Sequence, residues 1–117
     1  MAMHELFLWL VGAHFLADWA LQSDWMAKEK GRRWMVLAAH CAIYTVVCCI
    51  PIRIAGAMVW WVPPAIFGSH WLDAAKSRYI TRLMLANEWC QDKGWAAVAV
   101  DQLYHIVVLA AVAAATQ

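Results

Sequence analysis

Residues 6–22 read LFLWLVGAHFLADWALQ. Extended back to Met3, the segment has the ~20 residues that an apolar helix needs to cross a bilayer. Yet it carries His14 and Asp18. An Asp at the centre of a membrane helix costs about +2.5 to +3.5 kcal/mol, and such residues persist where they pair, bind or react. A spacing of four puts the two on one helical face.

Three further apolar segments follow, at residues 34–50, 54–72 and 95–115. Each repeats the anomaly: His40 in the second, His70 and Asp73 in the third, Asp101 and His105 in the fourth. Only helices satisfy their own backbone in lipid without closing a barrel. The sequence therefore predicts an all-α fold, a four-transmembrane-helix bundle with spans over 3–22, 34–50, 54–72 and 95–115. The second span is expected to stop at Pro51, and Pro63–Pro64 to kink the third in its middle. From Ser69 to about Asn87 the chain reads SHWLDAAKSRYITRLMLAN, with apolar residues among charges. This predicts that the third span runs on into an amphipathic cytoplasmic or interfacial helix between helices 3 and 4.

Composition agrees with a membrane class. Of 117 residues, 65% are hydrophobic, against about 45–50% in soluble domains, and the mean hydropathy is +0.56. Nine Trp suit a membrane interface. A net charge of +1 gives no reason to expect nucleic acid as a partner. The length suits one domain spanning residues 1–117. Cys41, Cys48, Cys49 and Cys90 form no C-x-x-C pair and read as small apolar packing residues. The first segment lacks a cationic start and carries Glu5, which argues against a cleaved signal peptide.

Charge in the connections sets orientation. Lys28, Lys30, Arg32 and Arg33 lie between the first two segments, and Lys76, Arg78, Arg82 and Lys93 between the last two. Arg53 alone lies in the middle connection. The positive-inside rule puts both basic connections in the cytoplasm and both termini on the far side.

Depth then follows from helix rise. Asp18 lies about 6 Å inside the cytoplasmic end of its span, His14 about 12 Å, Asp101 and His40 about 9 Å, and His105 about 15 Å. His70 and Asp73 lie at the cytoplasmic exit of the third span. The first span reads His-x-x-x-Asp inward, and the fourth reads Asp-x-x-x-His outward. Antiparallel neighbours with reversed motifs are expected to set His beside His and Asp beside Asp. Imidazole with carboxylate suits Zn, Mn or Fe. His14, Asp18, His40, His70, Asp73, Asp101 and His105 are thus the candidate metal ligands, for one or two ions. Gln22 and Gln102 flank them as candidates to orient ligands, and Lys28 and Lys76 are candidates to hold a phosphate.

HFLADWALQ (14–22), AAH ending at His40, HWLDAAK (70–76) and DQLYH (101–105) resemble, in that order, the motifs of a small family of bacterial and phage integral membrane proteins known only as a domain of unknown function. The pattern is similar, more loosely, to that of the membrane-bound metal-dependent hydrolases induced by DNA damage. That likeness implies the seven His and Asp residues as ligands or acid–base groups. With the orientation set by the basic connections, the expectation is a multi-pass protein of the bacterial inner membrane, with both termini periplasmic.

The expected function is metal-dependent hydrolysis of a phosphoester or acyl bond at the cytoplasmic leaflet, with Asp18 or Asp101 as base and a lipid-linked substrate. Membrane lipids and a second copy of the chain, through Ala110–Ala115, are the expected partners. Two alternatives stand beside it. One is a transporter or sensor of metal ions or protons, and the other a small phage-type protein that binds a host membrane protein. No polar residues continue from His40 and His105 toward the far side, which weighs against transport.

Overall fold

The computed structural model describes residues 1–85 and 94–117, and they form helices with no strand among them. Helix α1 spans Met3–Phe15 and runs directly into a π-helical turn, Leu16–Ala20. A short α2 covers Asp24–Glu29, with the Ser23 Oγ accepting from the Met26 N–H at its start. Then come α3 at Trp34–Ile54, α4 at Val62–Leu85 and α5 at Gly94–Ala115. Four of these pack in a closed ring: α1 on α3, α3 on α4, α4 on α5 and α5 on α1.

Helix α3 runs past the expected stop. Pro51 sits inside it, and the helix continues to Ile54. A proline so near a helix end costs one hydrogen bond, and the bundle packing of Cys48, Pro51 and Ile52 outweighs it. The helix ends instead at Gly56, whose φ of 70° is left-handed. There Gly56 N–H bonds Arg53 O at 3.1 Å and Ala57 N–H bonds Ile52 O at 3.0 Å, the Schellman closure.

The two prolines of the third segment also do something other than kink it. Segment three does not begin at Ile54. Helix α4 starts at Val62, so Pro63 and Pro64 fall in its first turn, where backbone N–H groups have no helical partner. From there α4 is unbroken to Leu85, joining the third segment to the amphipathic stretch. The end of that stretch at Ala86–Asn87, the side chain of Lys76, and Cys90 and Lys93 lie outside the described residues.

Helix α3, and α5 over Val98–Ala115, are each long and apolar enough to cross a membrane. Regular α1 is cut to 13 residues by its π-turn. In α4 the apolar residues give way to charges after Trp71.

The interior has two halves. Each long helix reads, at helical spacing, apolar residues and then polar ones: Leu6, Leu10, His14, Asp18 on α1; Ile52, Cys48, Tyr44, His40 on α3; Ile66, His70, Asp73 on α4; Val112, Leu109, His105 on α5. Neighbours run antiparallel, so the polar ends meet at one end of the bundle and the apolar ends form a continuous core at the other. Burying those apolar side chains contributes roughly 1.5–3 kcal/mol for each large one in water. In lipid, close packing takes over that role.

Candidate metal centre

All seven predicted His and Asp residues face the polar half. His14, Asp18, His40, His70, Asp73 and His105 are buried, and Asp101 is half-buried at the rim. The ring centroids of His14 and His105 stand 4.9 Å apart, so the reversed motifs do set His beside His. The carboxylates separate. Asp101 groups with Asp73 and His105, while Asp18 turns to His40 and His70. The cause is the π-turn. It closes with Leu21 N–H to Leu16 O at 2.9 Å, one residue more than an α-turn, and it carries Asp18.

Hydrogen-bond accounting fixes several protons. Gln102 donates its amide to Asp101 Oδ2 at 3.2 Å, leaving its Oε1 to accept from His14 Nε2–H at 2.7 Å. His14 Nδ1 is then a lone pair, and the Tyr44 hydroxyl donates to it at 3.0 Å. His105 Nδ1–H donates to the Asp101 backbone carbonyl at 2.9 Å, so neutral His105 presents a lone pair at Nε2. His70 Nδ1–H donates to that lone pair at 2.9 Å. Neutral His70 then presents its own lone pair at Nε2.

This chain ends in conflict. His70 Nε2 lies 2.8 Å from His40 Nε2 and 3.4 Å from Asp18 Oδ1. His40 has one Nε2 proton at most, and it must serve both neighbours. Asp18 Oδ1 is 3.0 Å from His40 Nε2 yet is buried without a hydrogen bond. An unsatisfied buried carboxylate oxygen costs several kcal/mol. On the other side, Asp73 Oδ2 is 3.2 Å from the His105 Nε2 lone pair. Asp73 and Asp101 also stand within hydrogen-bonding reach of each other. Two adjacent carboxylates, one buried and one half-buried, favour a cation or a shared proton between them.

Bound divalent cations would relieve these contacts. Donors bound at about 2.0–2.1 Å in a tetrahedral site lie ~3.3 Å apart. The triangle of Asp18 Oδ1, His40 Nε2 and His70 Nε2 has edges of 3.0, 2.8 and 3.4 Å, close to that size. Three groups have donor atoms within 4.8 Å of one another: His14, Asp18, His105; Asp18, His40, His70; and Asp73, Asp101, His105. The outer bonds fit as well, since metal-bound histidines donate their other N–H to carbonyls or carboxylates, as His105 does here.

The remaining sequence candidates fall into place by geometry. Gln102 orients His14. Gln22 accepts from Lys30 Nζ at 2.7 Å, and the Lys30 charge acts on His70 and Asp73. Lys28 is exposed on α2. Lys30, not singled out from sequence, is thus a basic side chain close to the cluster. Tyr44 was also missed. It is 2% exposed, its ring stacks on His70 at 3.8 Å and 8°, and its hydroxyl holds His14. Its position four residues after His40, on the same helical face, was the available signal.

The chain belongs to the DUF3307 family of proteins of unknown function, whose model matches residues 6–117. No curated protein and no solved structure matches it.

Proposed function

We propose that this protein is an integral membrane, metal-dependent hydrolase acting on a phosphoester or acyl bond at the cytoplasmic leaflet. The observation that carries the reading is the unbonded buried oxygen of Asp18 beside the Nε2 atoms of His40 and His70. A Zn, Mn or Fe ion, if held there, would supply a water of lowered pKa and would polarise the scissile group's oxygen.

The chain's own residues supply the rest. Asp18, His40 and His70 would hold the ion. Asp101, at the rim with one oxygen held by Gln102, would accept a proton from such a water. Lys30 beside Gln22 neutralises a substrate phosphate, the role expected of Lys28 and Lys76 from sequence.

Membrane residence as four antiparallel spans is part of the same proposal. The outward faces of α1, α3 and α5 carry Leu8, Trp9, Val46, Ile50, Leu103 and Val107, each more than half exposed. So much exposed apolar surface marks a lipid contact. Trp19, Trp25, Trp34 and Trp95 are exposed near the polar end, and Trp60 at the opposite end, as two interfacial belts. The basic loops put the polar end in the cytoplasm, at the depth where headgroup linkages lie. The apolar core from Leu6 to Val112 closes the other half, which favours hydrolysis over passage of ions.

The test uses purified protein with lipid extracts, with and without added Zn or Mn. Wild type should release product only with metal, and Asp101→Asn should bind metal without turnover. Identical product profiles from wild type and Asp101→Asn, both metal-loaded, would remove the enzyme reading.

A further inference from the structure

His70 stands between two of the donor groups, one ring nitrogen toward each. Its Nε2 belongs with Asp18 Oδ1 at 3.4 Å and His40 Nε2 at 2.8 Å. Its Nδ1 is 2.9 Å from His105 Nε2, which is itself 3.2 Å from Asp73 Oδ2. A single ion cannot use both nitrogens of one imidazole, because their lone pairs point away from each other. We propose that the centre is binuclear and that His70 bridges the two ions as an imidazolate. This rests on the metal reading above and extends it.

The first ion is held by Asp18, His40 and His70 Nε2. The second is held by His70 Nδ1, His105 Nε2 and Asp73. Each has three protein donors and an open position, the arrangement of catalytic rather than structural sites. Asp101, whose carboxylate lies in the same group as Asp73 and His105, stays at the rim as the proton acceptor. The proton on His70 Nδ1, given to His105 in the metal-free network, leaves to solvent when the second ion binds. The Asp18 oxygen is then no longer unpaired.

The surroundings suit a bridge. The Tyr44 ring lies flat on the His70 ring at 3.8 Å and 8°, which fixes the plane that both ions must share. His14, whose two nitrogens are already satisfied by Gln102 and Tyr44, is left out of both sets. It acts as a positioning residue that anchors Tyr44.

The experiment loads the full-length protein, purified in detergent, with Cu(II), which binds nitrogen and oxygen donors most tightly of the divalent first-row ions. Two ions per chain are expected. Their low-temperature EPR signal should integrate to well under two spins, because an imidazolate couples its two copper ions antiferromagnetically. His70→Gln, which offers one donor atom to one ion, should restore a full uncoupled signal for whatever copper it keeps. One ion per chain in wild type, or two with full uncoupled intensity, overturns the bridge and leaves the metal reading standing. No bound metal at all overturns both.

Discussion

Asp18 Oδ1 is buried without a hydrogen bond, so substitutions there separate the readings. Changing Asp18→Ala removes a ligand and should release metal. A ligand held at 100 times its Kd stabilises by about 2.7 kcal/mol, and for a domain of this size ~1 kcal/mol moves Tm by about 4–8 °C. A drop of roughly 10 °C in detergent is therefore expected, with added metal no longer raising Tm. A rise in Tm for Asp18→Ala would mean that the carboxylate is unpaired in a metal-free protein and merely tolerated. Tyr44 makes a finer test. Tyr44→Phe keeps the stack on His70 and loses only the bond to His14, costing about 1 kcal/mol. Metal stoichiometry should be unchanged and affinity lower by about 10-fold or more. Unchanged affinity, read by competition with a chelator, would confine Tyr44 to packing.

At the scale of elements, the helices and their shared polar end were legible because a His or Asp in an apolar run is costly and therefore meaningful. The ends of the helices were less so. Pro51 reads as a stop and is not one, since its lost bond falls near the helix end where packing decides. Pro63–Pro64 read as a kink and instead open α4, because the chain from Ala55 to Trp61 forms the connection. The π-turn has no signature in LADWA (16–20), yet it decides that Asp18 joins His40 and His70. That step from motif to donor grouping could not be read from spacing. The α3–α4 corner offers its own prediction. Gly56 has φ 70° with open space where a Cβ would lie, so Gly56→Ala meets backbone strain alone. It should destabilise by about 1–2 kcal/mol with metal content unchanged. A neutral thermal midpoint would contradict the left-handed closure.

For the molecule as a whole, the proposal is a lipid-facing exterior around a polar cluster at the cytoplasmic end. Orientation is tested by placing single cysteines at Gly31 and Gln117 in a background lacking Cys41, Cys48, Cys49 and Cys90. A membrane-impermeant reagent applied to intact cells should label position 117 and spare position 31, and labelling at 31 would invert the topology and move the site to the other leaflet. Prior to both topology and turnover is metal binding where the four helices converge. Elemental analysis of protein purified in detergent without chelator or affinity metal tests it directly. At least one tightly held Zn, Mn or Fe per chain is expected, retained through dialysis and lost in Asp18→Ala. Metal-free protein that stays folded, with a thermal midpoint unmoved by added Zn, Mn or Fe, would contradict the account at its root.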